Sequence, residues 1–332
     1  MSLGEFELIA RYFSGFDYRE GVSLGVGDDC ALLNIPDGYE LAVTTDTLNE
    51  GVHFFENTDP YLLGYKTLAV NVSDIAAMGA KPFCTLLSLS LKDSSEPFLK
   101  DFSLGYFDCA KASQVDENPI ALVGGNISKG PLSFTVTAFG LVKKGQSLRR
   151  SKASVGDDIY VTGSLGLPAF AVALGYGKYP KYKELFCDLY KKSMMPSSRN
   201  LFAAQLLGIS SCAIDISDGV IGDLKHILSE SRVGANIELS YIPYDERLKE
   251  LSIPFEECID LALGGGGDYE LLFTSPKTYK KELLNLAKIT NTRITKIGEI
   301  TNENDIKLTL RGIIIPHKIN TFEHFYSSRS KT

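Results

Sequence analysis

A polar, basic run, Lys143-Lys144-Gly145-Gln146-Ser147-Leu148-Arg149-Arg150, interrupts a regular alternation of strand-like and helix-like segments. No apolar periodicity crosses it, so each side has to bury its own apolar surface. At 332 residues the chain is long enough for two cores. On the first side the spacing predicts an amphipathic helix over 5–12 and strands over 30–35 and 40–45 about the turn Pro36-Asp37-Gly38. A helix over 60–78 then stops at Gly79-Ala80-Lys81-Pro82, and a strand covers 83–91. A helix over 96–112 and strands over 119–123 and 133–142 complete this half. Beyond the break, a strand runs into Gly163, helices lie near 166–174, 182–194, 198–207 and 224–231, and strands cover 212–216, 235–239, 269–274, 294–299 and 306–310. The expected fold is α+β, in two α/β-mixed domains over 1–148 and 149–332.

Charge and composition narrow the function. Asp and Glu number 41 against 34 Lys and Arg, a net charge of −7. Such a chain is a poor broad grip on nucleic acid, which needs positive charge against phosphates. A phosphate ligand held through bound cations remains open. No apolar stretch reaches the length of a membrane span, and the acids of Met-Ser-Leu-Gly-Glu-Phe-Glu-Leu do not make a secretory leader. Six scattered cysteines without a C-x-x-C pair read as reduced thiols, and four histidines form no zinc pattern. A cytoplasmic protein without membrane or nucleic-acid partners is expected.

The aspartates carry the chemistry. Asp28 and Asp29 precede Cys-Ala-Leu-Leu, Asp46 ends Ala-Val-Thr-Thr, and Asp74 interrupts the apolar run 68–78. Asp215 and Asp218 flank Ile216-Ser217. A lone aspartate at such a place is more often a helix cap or a turn residue. Six of them inside or at the ends of apolar elements are costly unless paired or bound to metal. Thr44, Thr45, Ser73 and Ser217 beside them add the hard oxygen donors that magnesium accepts. Divalent cations between these carboxylates turn a repulsive surface into an anchor for a polyphosphate.

Common nucleotide signatures are missing. There is no P-loop, and Gly25-Val26-Gly27-Asp28-Asp29 lacks the third glycine of a dinucleotide fingerprint. Gly124-Gly125-Asn126 follows a predicted strand and fits either a phosphate-approaching backbone or a plain strand-ending turn. Gly264-Gly265-Gly266-Gly267 reads as a flexible turn or a ligand-lining loop.

These residues, in order, resemble the thiamine-monophosphate kinase family of the aminoimidazole ribonucleotide synthetase-like superfamily. The matching pieces are Gly27-Asp28-Asp29-Cys30-Ala31, Thr45-Asp46-Thr47-Leu48, Glu50-Gly51-Val52-His53-Phe54, the block from Lys66 to Ala80, and Gly124-Gly125-Asn126. Later ones are Arg150-Ser151, Asp215-Ile216-Ser217-Asp218-Gly219, Gly266-Gly267-Asp268-Tyr269-Glu270-Leu271 and Phe322-Glu323-His324-Phe325. The resemblance implies a homodimer joined through the N-terminal sheets, a C-terminal α/β sandwich, ATP bound between the halves and several magnesium ions. Under it the first half binds ATP and magnesium and dimerises, and the second completes the nucleotide and substrate site. Implied metal ligands are Asp29, Thr44, Thr45, Asp46, Asp74, Asn126, Asp215 and Asp218. Gly125, Asn126, Arg150 and Ser217 would contact ATP, and His53, Gly267 and Phe322 the substrate. Asn126 stands where many members have Asp, which keeps an oxygen ligand but removes a charge. Gly267 stands where the family usually has Glu or Asp.

The implied reaction moves the γ-phosphoryl of ATP directly onto the phosphate of thiamine monophosphate. That acceptor is largely ionised at neutral pH, its second pKa being about 6, so no general base is required. A related ATP-dependent synthetase and a non-catalytic ATP-binding module are the alternative readings. Thiamine-dependent turnover separates them.

Overall fold

The computed structural model describes residues 4–316, which divide into two compact units. The first holds residues up to 149 together with 194–211 and 281–292, and the second holds 150–193, 212–280 and 293 onward. The closing motif from Phe322 to Phe325 lies outside the described residues.

The first unit runs α1 (Glu5–Tyr12), β1 (Val22–Leu24), β2 (Leu32–Leu33), β3 (Tyr39–Asn49), α2 (Pro60–Ala77), β4 (Lys81–Leu91), α3 (Glu96–Ala112), β5 (Ala121–Lys129) and β6 (Ser133–Lys143). β1 and β2 pair with each other, and the remaining four strands form one sheet in the order β3-β6-β4-β5. Its β3–β6 and β6–β4 ladders are antiparallel, and β4–β5 is parallel. β6 shows why the sheet has two unlike faces. Phe134, Val136, Ala138 and Val142 are buried, while the alternating Thr135, Thr137, Phe139 and Leu141 keep partial exposure.

α2 starts at Asp59, whose carboxylate accepts the Tyr61 amide at 2.9 Å, with Pro60 in the first turn. Fifteen of its 18 residues are buried, which explains an apolar run with little amphipathic contrast. Gly79, at φ +67°, ends it by donating to the Ala76 carbonyl at 2.8 Å. Against α3 the contact is backbone to backbone. A Cβ at Gly64 would lie 1.9 Å from the Phe102 carbonyl oxygen, and one at Gly105 would lie 1.9 Å from that of Tyr61.

In the first unit β1 was not expected, and three further strands depart from the sequence expectation. β3 continues to Asn49 because it pairs residue by residue with β6, so Asp46, opposite Val136, lies inside the strand and not at its end. β5 begins at Ala121 and runs through Gly124-Gly125-Asn126 to Lys129, where the sequence suggested a turn. Its ladder with β4 slips between Thr85 and Leu86 and then brings Gly125 so near Leu87 that a Cβ would sit 1.8 Å from the Leu87 carbonyl oxygen. The glycines serve close strand approach. The strand expected over 30–35 shortens to Leu32–Leu33.

The second part of the chain contains β7 (Asp158–Thr162), α4 (Leu167–Gly175), α5 (Phe186–Ser193), α6 (Asn200–Leu206), β8 (Cys212–Asp215), α7 (Val220–Ser231) and β9 (Gly234–Glu238). It continues with α8 (Glu246–Glu250), α9 (Phe255–Gly264), β10 (Leu271–Ser275), α10 (Lys280–Ile289), β11 (Ile294–Thr301), β12 (Ile306–Leu310) and β13 (Ile313–Ile314). α6 and nearly all of α10 group with the first unit. The Asn200 Nδ2 fastens α6 to α2 by donating to the Val72 carbonyl at 2.8 Å.

The seven-stranded sheet of the second unit has the order β13-β12-β9-β11-β7-β10-β8. Ile159 and Val161 of β7, Ile214 of β8 and Leu272 of β10 join Val220, Leu224 and Ile227 of α7 in one apolar core. A second cluster gathers Phe170 and Leu174 of α4, Leu189 of α5, Leu248 of α8 and Cys258 of α9. Among the described residues no helix is long and apolar enough to cross a membrane.

Candidate active site

In the first unit, Thr44, Asp46 and Asp74 come together from β3 and α2. The Thr44 hydroxyl donates to Asp74 Oδ2 at 2.5 Å, and the Asp46 amide donates to Oδ1 of the fully buried Asn71 at 3.0 Å. Asn71 is in turn held by its own Nδ2, which donates to the Thr67 carbonyl at 3.0 Å. Desolvation of the Asp46 carboxyl and the nearby Asp74 charge push its pKa up to about 6, although the residue as a whole is exposed. Thr45 is turned to the neighbouring strand, its hydroxyl donating to the Val136 carbonyl at 3.0 Å.

Asp29 and Asn126 lie at a different place in the same unit. They line a cavity of about 820 Å³ together with Asp28, Gly124 and Gly125, over an apolar floor that includes Leu86, Leu122, Val123 and Phe139. Asp28 Oδ1 accepts the Asp29 amide at 2.8 Å. Polar rim and apolar floor suit a ligand with a charged end and a flat, weakly polar end. His53 lies in the turn after β3, where its Nδ1 accepts the Asn49 amide at 3.0 Å. In the neutral ring that bond leaves the proton on Nε2.

In the second unit, Asp215 ends β8 and is buried, with Ser217 and Asp218 in the loop leading to α7. The backbone of this loop is gripped from two sides. On one side, the Ile216 amide donates to the Glu270 carbonyl at 2.7 Å, and the amides of Tyr269 and Gly267 donate to the carbonyls of Ile216 and Ser217 at 2.8 Å. On the other, one oxygen of Asp223 accepts both the Ser217 amide at 3.0 Å and the Asp218 amide at 3.1 Å. Burial and the Asp218 charge raise the Asp223 pKa to about 7, against the two amides and Arg150, which lower it. Arg150 opens a short 3₁₀ turn whose carbonyl accepts the Ser231 hydroxyl at 2.7 Å.

The glycine loop before β10 is built, not slack. Gly267 has φ +90°, and a Cβ at Gly266 would lie 2.3 Å from the Ser217 carbonyl oxygen. Asp268 Oδ1 accepts the Gly166 amide at 2.9 Å, and the Glu270 carboxylate accepts the Thr162 hydroxyl. The run Asp268-Tyr269-Glu270 thus ties this loop to the end of β7 and the start of α4.

Among the described residues no three His, Cys, Asp or Glu side chains converge as a ready metal shell. What the first unit presents is a pair of like-charged carboxyls with hydroxyl neighbours, a donor set that a hard dication satisfies and that is unfavourable without one. Phe322 lies outside the described residues. Asp223 was not singled out from sequence: it sits one residue before the predicted helix over 224–231.

Residues 27–142 match the family described as AIR synthase related protein, N-terminal domain, and residues 154–311 match its C-terminal domain. A thiamine-monophosphate kinase of Escherichia coli (strain K12) is 43% identical over 303 residues, 91% of each chain. The crystal structure of thiamine-monophosphate kinase from Stenotrophomonas maltophilia K279a aligns with a TM-score of 0.82 and 39% identity, over 95% of this chain and 99% of that one. AaThiL complexed with AMPPCP and TMP aligns at 0.73 with 29% identity, over 87% and 89%. With both domains matched in order and such identity along nearly its whole length, this chain belongs to the thiamine-monophosphate kinase family of AIR-synthase-related proteins.

Proposed function

We propose that the chain transfers the γ-phosphoryl group of ATP in line to the phosphate of thiamine monophosphate, giving thiamine diphosphate and ADP with magnesium bound by its aspartates. The observation that carries the magnesium reading is the Thr44–Asp74–Asp46 arrangement, in which two carboxyls crowd one another beside a hydroxyl. The relative solved with AMPPCP and TMP supports the two substrates. Assigned metal ligands are Asp29, Thr44, Thr45, Asp46, Asp74 and Asn126 in the first unit and Asp215 and Asp218 in the second. Bound there, magnesium would neutralise the charge of the phosphates.

The remaining work falls to the chain itself. Gly125, Asn126, Arg150 and Ser217 bind ATP, with Arg150 as a fixed positive charge for the phosphates. His53, whose Nδ1 accepts the Asn49 amide, is assigned to the substrate. Phe322 and the Gly267 loop contact the thiamine moiety. The acceptor phosphate needs no base, and the residues supply position and charge.

The same reading makes the enzyme a cytoplasmic homodimer, with its first-unit sheet pairing across the dimer and a sandwich built on its second-unit sheet. Unbridged cysteines fit a reducing compartment, and β3 offers 11 residues of edge paired on one side only. ADP release from ATP and magnesium, with thiamine monophosphate, with thiamine and with neither, tests the function. Release that requires thiamine monophosphate and yields thiamine diphosphate is expected. ATP binding without thiamine-dependent release would overturn the assignment.

A further inference from the structure

The loop 215–219 carries Asp215, Ser217 and Asp218, and its backbone has almost no freedom of its own. Ile216 is bonded through both amide and carbonyl to Tyr269 and Glu270, just ahead of β10, and the Ser217 carbonyl accepts the Gly267 amide. Gly219, at φ +95°, has no room for a Cβ, which would lie 2.8 Å from the Leu263 carbonyl oxygen. The amides of Ser217 and Asp218 are the groups still to be satisfied where the chain leaves the sheet. Neither joins the helix ladder, because α7 begins only at Val220. Both are taken by one carboxylate oxygen, four residues into α7: Asp223 Oδ2, at 3.0 and 3.1 Å. Asp223 is buried, its residue retaining 3% exposure, and Leu224 and Ile227 near it belong to the apolar core. It is anchored on the helix, so it sets where Ser217 and Asp218 stand relative to α7.

We infer that Asp223 is a positioning residue for magnesium–ATP binding, holding the Ser217–Asp218 backbone so that both side chains meet the nucleotide phosphates and their cations. In this role it acts through the loop backbone and needs no contact of its own with substrate or metal. The inference rests on the assignment of Ser217 and Asp218 given above. What the position requires is an acceptor of the right length anchored on α7. Asn keeps one carbonyl oxygen in that place, whereas Ala removes it and leaves two amides to water or to nothing. Substituting residues that orient metal ligands typically lowers affinity or activity about 10- to 100-fold.

The experiment is calorimetric binding of AMPPCP to the full chain, with and without magnesium, for wild type, Asp223→Asn and Asp223→Ala. It is accompanied by magnesium titration of turnover at saturating ATP and thiamine monophosphate. Expected is a loss of about 10- to 100-fold in magnesium-dependent AMPPCP affinity in D223A, with a matching rise in the magnesium needed for half-maximal turnover. The KM for thiamine monophosphate should stay within about threefold, and D223N should keep most of the wild-type affinity. A D223A chain that is less heat-stable but binds magnesium–AMPPCP like wild type would overturn the inference. Should D223A fail to fold, D223N decides: near-wild-type magnesium-dependent binding supports the acceptor role, and a tenfold or greater loss overturns it. A wild-type chain that itself shows no magnesium-dependent AMPPCP binding would instead bring down the nucleotide assignment beneath both.

Discussion

Thr44 donates its hydroxyl to Asp74 across the boundary between β3 and α2, and that 2.5 Å bond places the Asp74 carboxylate beside the strand that holds Asp46. One carboxylate is fixed by a helix, the other by a strand whose amide is bonded to Asn71.

Replacing either acid by its amide keeps the shape and removes the charge. Asp46→Asn and Asp74→Asn should each lower turnover by about 100-fold or more while circular dichroism stays native, if the pair anchors the cations that neutralise the phosphates. Near-normal ADP release from either variant would sink the metal-cradle account.

The raised Asp46 pKa gives a pH signature. Its folded value of about 6 lies above the ordinary 3.8, so the folded chain binds this proton more tightly than the unfolded chain does. In the absence of divalent cations, stability should fall as pH rises from about 4 through about 6, and then level off. Because the side chain is partly in water, the screened penalty is about 1 kcal/mol. Urea midpoints of wild type and D46N check this: the variant should match wild type near pH 4 and exceed it at pH 7.5. Added magnesium should erase the wild-type deficit.

Gly267 joins a left-handed backbone to a missing acid. At φ +90°, with Pro168 Cβ 3.4 Å from the place of a Cβ, the site has space but disfavours any side chain by about 1 kcal/mol. Gly267→Glu should therefore melt lower than wild type. If this position faces the cationic thiazolium, it should also show a several-fold lower KM for thiamine monophosphate. A melting shift with no change in KM would show that recognition lies elsewhere.

Gly125 is a steric position first. Gly125→Ala places a methyl where the Leu87 carbonyl oxygen stands, which should part β5 from β4 and destabilise the chain by about 2 kcal/mol or more. Thermal unfolding of the purified variant measures it. A melting temperature equal to wild type would mean that the two strands can separate without loss.

Much of the frame was legible because local signals agreed with one another. Pro60 and Gly79 bracket α2, and the alternation along 133–142 marks β6. The sequence was misleading where backbones approach closely. Gly124-Gly125 has the composition of a turn, and only the parallel ladder with β4 makes it strand. α9 was not predicted, although Cys258, Ile259, Ala262 and Leu263 form its buried stripe. Site residues in apolar surroundings, such as Asp46 and Asp74, stood out by the cost of their charge. Asp223 did not, because its role comes from a carboxylate folding back over a loop, which no spacing rule shows.

The glycine contact between α2 and α3 has a consequence far from itself. Gly64 and Asp74 ride on one rigid rod, ten residues and about 15 Å apart. Any side chain at Gly64 would collide with the Phe102 carbonyl and lever the whole rod, so an error there would be delivered as a displaced Asp74 carboxylate. Tolerance to change along α2 is therefore set by transmission along the helix as well as by local contacts.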